Sequence, residues 1–397
     1  MVCDGVLYTN DMSWLELRKF VCPEFVFGDG ALALAGRFAS NFGGSKVMVV
    51  SGSNVIRAGW TGKVLKSLDD EGLPYTIFSE YTQNPKEREV MRGAEIYRSE
   101  GCDVIICVGG GSAIDCAKGI GIVNKNRSNI LEFVGADQIP LPGPPLICVP
   151  TTAGSSADVS QFAIITDTRE RTKTAIVSKK LVPDASLIDP STTITMSAEL
   201  TANTGIDALT HAIEAYVSNA SSPITDLFAL NAAQLIARHL IPAIHEPQNM
   251  EHRGKMMLGS LQAGLAFSNA SLGLVHAMAH SLGGHADFPH GESNGILLPL
   301  VMKFNYQGAP DRYDQIGETM GLNLKGLDPD EKRDAIVAIV QKLQEDAGVP
   351  MVIPKGYVEK KDVQELARKA MADVCIVTNP RSVRLEDVTA IYQEALG

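Results

Sequence analysis

Apolar and polar residues alternate in blocks along this chain, and the blocks change character about halfway. In the first half short β-branched runs end in glycine or hydroxyls: KVMVVSG (46–52), CDVIICVGGGS (102–112) and PLICVPTT (145–152). Unbroken apolar runs of this length predict parallel strands buried on both faces. QFAIITD (161–167) is grouped with them. The intervening WTGKVLKSLDDEG and KEREVMRGAEIYRSEG space apolar residues at helical intervals and close on glycine. Strand–helix alternation predicts an open, mostly parallel α/β sheet.

From Leu200 onward the pattern is that of long helices with Ala, Leu and Met inside. SSPITDLFALNAAQLIARHLIPAI offers Ser222 as N-cap and Pro223 at the first helical position. DPDEKRDAIVAIVQKLQEDAG opens on acidic residues and closes on Gly348. The expected division is an α/β unit over 1–195, with 1–22 as an N-terminal extension, and an all-helical unit over 196–397. Two such units leave a cleft between them, where small-molecule sites are commonest.

Composition narrows the class. The 397 residues are 45% hydrophobic and 20% charged, as in ordinary globular proteins, and the net charge of −11 argues against a nucleic-acid partner. Seven scattered cysteines without a CxxC pair read as reduced thiols. The N-terminus lacks the basic and apolar regions of a secretion signal, and no apolar run reaches the ~18 residues of a membrane span. A cytoplasmic location without membrane contact is the expectation.

Three polar turns follow the apolar runs. In CVGGGSAIDCAKGIGI, Gly109, Gly110 and Gly111 let the backbone approach a ligand, and Ser112 is placed to cap the following helix. Free N–H groups at a helix start suit a phosphate or pyrophosphate. The run is neither a Walker loop nor GxGxxG, and a plain strand-to-helix turn is the competing reading. Asp115 and Lys118 fall on the first turns of that helix. VPTTAGSSADVS (149–160) and VVSGSN (49–54) are the other two turns. Polar turns at one end of neighbouring parallel strands favour a dinucleotide over a lone phosphate.

The second half carries the metal chemistry. Asp207 and His211 stand four apart in NTGIDALTHAIEAY, and His276 and His280 repeat that spacing in GLVHAMAHSLGGHADFPHGESNG. His290 follows a Gly/Pro-containing loop, and His285 is read as a loop residue without a role. A carboxylate with several imidazoles suits a divalent first-row metal, and the absence of sulfur ligands argues against a zinc ribbon. His239, His245 and His252 are read as ordinary structural histidines.

The motifs GGGSAIDCAK, PTTAG, GIDALTHAIEAY, LGLVHAMAHSLGG, PHGESNG and TNPR together resemble the iron-containing (group III) alcohol dehydrogenases, in order, over about residues 23–397. The resemblance implies a Rossmann-like α/β dinucleotide-binding domain and an all-α C-terminal domain, the dehydroquinate synthase-like fold. It implies Asp207, His211, His276 and His290 as metal ligands and His280 as the proton-transfer residue. It implies pyrophosphate binding at Gly110, Gly111 and Ser112, and nucleotide contacts from Thr151, Thr152, Ser155 and Lys173. The implied reaction is hydride transfer between small primary alcohols or aldehydes and NAD or NADP; a homo-oligomer is a separate expectation. Iron(II) is the family's metal; the same ligand types also suit Zn²⁺.

Departures from the family pattern carry information. TTAGSSAD stands where TTAGTGSE is usual, with Ser156 replacing a glycine and Asp158 shortening the acid. Gly52 stands where NAD-using members often have Asp, which removes a repulsion against the 2′-phosphate of NADP. Ser51 and Ser53 are placed to bond a phosphate there, with Arg57 the nearest cation, so NADP(H) is expected to be accepted. Phe267 and Cys375 are named for the substrate pocket wall. Two alternatives stand beside this reading: a glycerol dehydrogenase-like polyol oxidoreductase, and a metal-dependent hydrolase or lyase whose Gly-rich turn holds a substrate phosphate.

Overall fold

Six parallel strands form the sheet on which the first half is built. The computed structural model describes residues 19–397. The strands are β1 (Glu24–Phe27), β2 (Val47–Ser51), β3 (Tyr75–Phe78), β4 (Val104–Gly109), β5 (Gly135–Ala136), β6 (Leu146–Pro150), β7 (Phe162–Asp167), β8 (Thr172–Val177) and β9 (Ala185–Ile188). The main sheet runs β1-β9-β6-β4-β2-β3. Every residue of β2, β4 and β6 is buried, because helices cover both faces. These helices are α1 (Ala35–Asn41), α2 (Ser53–Arg57), α3 (Trp60–Asp70), α4 (Glu87–Ser99) and α5 (Gly111–Asn126).

The order places β2, β4 and β6 side by side, so the three polar turns open at one edge. The chain leaves β2 for β3 on one flank and then crosses to β4 on the other. The switch point between β2 and β4 is where such sheets bind ligands.

β7 corrects the expectation for 161–167. It pairs antiparallel with β8 in a second sheet of order β5-β8-β7, with Phe162 opposite Val177 and Asp167 opposite Thr172. Only four residues join β7 to β8, too few for a parallel crossover.

The second half is helical: α6 (Ala198–Val217), α7 (Pro223–His245), α8 (Met250–Ala270), α9 (Leu274–Ala286), α10 (His290–Asn305), α11 (Pro310–Thr319), α12 (Pro329–Ala347), α13 (Val363–Met371) and α14 (Leu385–Ala395). Ser222 caps α7 with Pro223 at its first position, and Asp328 caps α12, which stops at Gly348 in the left-handed region. Among the described helices α7 alone has the length and composition to cross a membrane, but here it packs against α6 and α8.

α6 is the central helix, buried along most of its length. A Cβ at Gly205 would come within 2.4 Å of Leu240 Cδ1, so glycine sets how closely α6 and α7 approach. Of the extension expected at 1–22, only residues 19–22 are described; Val21 exchanges hydrogen bonds with Asn269 at 2.7 and 3.0 Å. Cys3 lies outside the described residues, and the six described cysteines are free.

Candidate active site

A cavity of about 650 Å³ opens between the sheet edge and the helical half. Gly52, Gly110, Gly111, Ser112, Asp115, Thr151, Thr152, Ser155 and Lys173 line it from the α/β side. Asp207, His211, Phe267, His276, His280 and His290 line it from the helices. Gly109 and Cys375 are not among the lining residues. Gly109 ends β4, where a Cβ would press to 2.6 Å from Ala113 Cβ, and Cys375 is fully buried.

On the nucleotide side the backbone does most of the shaping. A Cβ at Gly110 would meet Thr152 Oγ1 at 3.0 Å, and one at Gly111 would meet Ser155 Oγ at 2.7 Å, so the turn admits only glycine comfortably. Ser112 does not cap α5. Its hydroxyl donates instead to the Gln83 carbonyl, tying the Gly-rich turn to the loop after β3. Ser51 is also claimed elsewhere, pairing with Thr61 Oγ1 at 2.7 Å in the interior, so the group expected to bond a phosphate faces away. Arg57 donates to Asn54 Oδ1. Ser156 adopts φ +49°, a left-handed conformation that favours the glycine it replaces. Its hydroxyl donates to the Ser260 carbonyl at 2.6 Å, holding the 151–158 turn against α8. Asp158 accepts from Ser186 Oγ at 2.7 Å beneath the sheet edge, away from the cavity.

Two charged groups face the cradle. Burial raises the Asp115 carboxyl to about 7 against the opposing pull of Lys118. Burial lowers Lys173 to about 8, with Asp287, Asp207 and Asp115 resisting. Lys173 is only 5% exposed and lines the cavity together with the Gly-rich turn and the histidines. Asn84, which sequence reasoning passed over, also lines the cavity and donates to Asp287 Oδ1 at the end of α9.

On the helical side α6 presents Asp207 and His211, α9 presents His276 and His280, and His290 opens α10. Asp207 Oδ1 stands 3.9 Å from His211 Nε2 and 3.7 Å from both His276 Nε2 and His290 Nε2. One donor atom each from Asp207, His276 and His290 lies within 4.8 Å of the others; His211 stands just outside that tight group. The His211 ring stacks between Phe267 at 4.3 Å and His276 at 4.6 Å.

The donor set fits a divalent ion. Ligands ~2.1 Å from a first-row ion stand ~3–4 Å from one another, which is the spacing here. The lone pairs of Asp207, His276 and His290 converge on one neutral group, the Asn294 amide nitrogen, at 2.6, 3.2 and 3.2 Å. The Nδ1 atoms of His211 and His290 are buried without a partner. Burial holds His211 at about 4 and His290 well below its ordinary value, favouring the neutral imidazoles a metal requires. At His276 burial pulls the same way, but the Asp207 and Glu214 carboxylates overcome it and raise the ring to about 9. Burial works against the Asp207 charge, yet the three histidines outweigh it and keep the carboxyl ionised.

His280 differs from the rest. Its Nδ1 lies 2.9 Å from Asp373 Oδ2, while Asp373 Oδ1 accepts the Cys375 N–H at 2.8 Å. Burial pushes the Asp373 carboxyl up, but His280 and these hydrogen bonds prevail and keep it below its ordinary value. His285, read as a loop residue, belongs to the last turn of α9 and faces Asp362 at 3.8 Å.

Two family models divide the chain between them: the iron-containing alcohol dehydrogenase model matches 22–190, and the C-terminal model of the Fe-containing alcohol dehydrogenase family matches 201–396. The chain belongs to the iron-containing alcohol dehydrogenase family. Within that family it is 38% identical to 1,3-propanediol dehydrogenase of Klebsiella pneumoniae over 371 residues, 93% of this chain and 96% of that one. It is 33% identical to the NAD-dependent methanol dehydrogenase of Bacillus methanolicus over 377 residues, 95% and 99% of the two chains. The crystal structure of a 1,3-propanediol oxidoreductase superimposes with a TM-score of 0.92 at 37% identity, covering 96% of this chain and 100% of that one. The alcohol dehydrogenase of Oenococcus oeni gives 0.92 at 35% identity with the same coverage. As an iron-type alcohol dehydrogenase the protein is an oxidoreductase interconverting alcohols and aldehydes, and the hydrolase reading is set aside.

Proposed function

We propose that this enzyme is an NAD(P)-linked, divalent-metal-dependent dehydrogenase of small primary alcohols, with the α/β unit over 1–195 holding the dinucleotide. One observation carries the reading: the metal donor set, His280 and the Gly-rich turn all line one cavity. Asp207, His211, His276 and His290 are the residues to hold the ion, iron(II) by family and Zn²⁺ by ligand type. When bound, the ion would polarise the substrate oxygen and lower the pKa of its proton, with the nicotinamide as the hydride carrier. The backbone of Gly110 and Gly111 and the hydroxyls of Thr151, Thr152 and Ser155 are assigned to the pyrophosphate and its riboses.

His280 handles the proton. Asp373 is an acceptor, so the ring keeps its hydrogen on Nδ1 and turns the Nε2 lone pair to the cavity. Lys173 supplies positive charge between the dinucleotide and the metal ligands. Phe267 closes the wall behind His211 and keeps water from that side.

NADP(H) is accepted beside NAD(H), because Gly52 offers no carboxylate where the adenosine ribose binds. With Ser51 turned inward, Ser53 and Asn54 are the remaining polar groups there. The test is an aldehyde panel with NADH and NADPH on protein loaded with Fe²⁺ or Zn²⁺, beside metal analysis. A metal-free protein that oxidises alcohols at full rate, or an NAD(H) preference above a hundredfold in kcat/KM, would refute the respective parts.

A further inference from the structure

Glu214 belongs to no part of the assignment above, yet it is the buried carboxylate nearest the donor set after Asp207. It lies on α6 two turns beyond Asp207 and on the same face, and it is 3% exposed. Both of its oxygens are committed to α9. Oε1 accepts the Val275 N–H at 2.7 Å, and Oε2 lies 2.6 Å from His276 Nδ1. No lysine or arginine pairs with it among the described residues; its ion-pair contact is His276. A buried carboxylate without such company is costly unless its partners are hydrogen-bond donors or cations.

The start of α9 is built around this group. Gly273, the N-cap, has no side chain to satisfy the first free N–H groups of the helix. Two side chains from elsewhere do so: Glu214 takes Val275 N–H, and Asn379 Oδ1 takes Leu274 N–H at 3.1 Å. A Cβ at Gly273 would sit 2.9 Å from Glu214 Oε1 and 3.0 Å from Asn379 Oδ1, so the glycine is what lets both carbonyl-bearing groups approach. Asn379, from the TNPR motif, is itself locked by reciprocal 2.8 Å bonds with Asn305.

We propose that Glu214 is the positioning residue of the metal site. Its carboxylate accepts and does not donate, so His276 carries its proton on Nδ1 and presents the Nε2 lone pair toward Asp207. It also places a second buried negative charge beside the ion, one that His211 and His290 lack, since their Nδ1 atoms have no such partner. The inference rests on His276 being a metal ligand.

The experiment loads wild type, Glu214→Gln and His276→Ala with Zn²⁺ and measures Zn²⁺ affinity by competition with a chromophoric chelator. Glu214→Gln keeps the shape but offers one acceptor oxygen in place of two. Its Zn²⁺ Kd is expected to rise ~10- to 100-fold, with unchanged circular dichroism and a smaller Zn²⁺-induced rise in melting temperature. An unchanged Kd in Glu214→Gln while His276→Ala loses Zn²⁺ would overturn the proposal and leave the ligand assignment standing. An unchanged Kd in His276→Ala would overturn the ligand assignment itself. Nitrogen-15 histidine spectra of Zn²⁺-loaded wild type need no variant to fold: a protonated Nδ1 on His276 supports the proposal, and Zn²⁺ on Nδ1 overturns it.

Discussion

Asp373→Asn alters one atom of the proton-handling pair and leaves the fold its bonds. The asparagine oxygen still accepts the Cys375 N–H that Asp373 Oδ1 accepts at 2.8 Å. The other position, 2.9 Å from His280 Nδ1, changes from an acceptor to an amide NH₂ donor. His280 must then accept at Nδ1, which drives its proton to Nε2, the nitrogen facing the cavity. The variant therefore points a donor where alcohol oxidation needs an acceptor. A hydrogen bond to a charged group contributes ~1.5–3 kcal/mol, and ~1.4 kcal/mol is a factor of ten in rate, so kcat should fall ~10- to 150-fold. The assay is steady-state alcohol oxidation on metal-loaded protein, with metal content and reduced-cofactor Kd measured on the same preparation. Metal content, cofactor Kd and melting temperature should stay at wild-type values, and His280→Ala should lose rate while keeping metal. A wild-type kcat in Asp373→Asn would refute the pairing. Loss of metal in proportion to kcat would move His280 into the metal set.

Three further outcomes follow from the geometry. Cofactor affinity should weaken between pH 6 and 9, as Asp115 gains its charge near 7 and Lys173 loses its own near 8, both making the cradle less welcoming to phosphate. Fluorescence titration of NADPH should show Asp115→Asn removing the lower step and Lys173→Met the upper one; a flat wild-type profile would contradict both. Gly52→Asp should cut kcat/KM for NADP(H) at least ~10-fold relative to NAD(H), through repulsion of the 2′-phosphate. Because a Cβ there lies 3.0 Å from Tyr81 Oη, the substitution is best read in a Tyr81→Phe background as well, and an unmoved cofactor ratio in both would sink the reading. Gly205→Ala should cost ~1–3 kcal/mol in urea unfolding by wedging α6 from α7. In a Leu240→Ala background, where the clashing methyl is gone, it should cost less; equal costs in both would refute that contact.

What could be read from the chain, and what could not, divides by the range of the interaction. The start of α7 and the end of α12 were legible because Ser222, Pro223 and Gly348 act within one turn of themselves. Strand β7 was misread because an apolar run reports burial but not the direction of its partner; that was decided by β8, one tight turn later. Ser112 was expected to cap α5 because its local neighbours allow it, and a carbonyl 29 residues away took the hydroxyl instead.

The same distinction runs through the site. Spacing by four put Asp207 with His211 and His276 with His280 on shared helix faces, so the groups that line the helical side of the cavity were visible in the sequence. The tautomers proposed for His276 and His280 were not, because each rests on a carboxylate from another segment at the ring's Nδ1. Glu214 reaches His276 across 62 positions, and Asp373 reaches His280 across 93. One helix, α9, thus carries two imidazoles that differ in what stands behind them, and the duties proposed for them rest on that difference. His276 is backed by a carboxylate that also caps its helix, and it faces Asp207. His280 is backed by a carboxylate that anchors the 374–378 turn, and it lines the same cavity. Helical periodicity could report that both point inward; the roles proposed for them depend on contacts with α6 and with Asp373 that exist only once these segments have packed against α9.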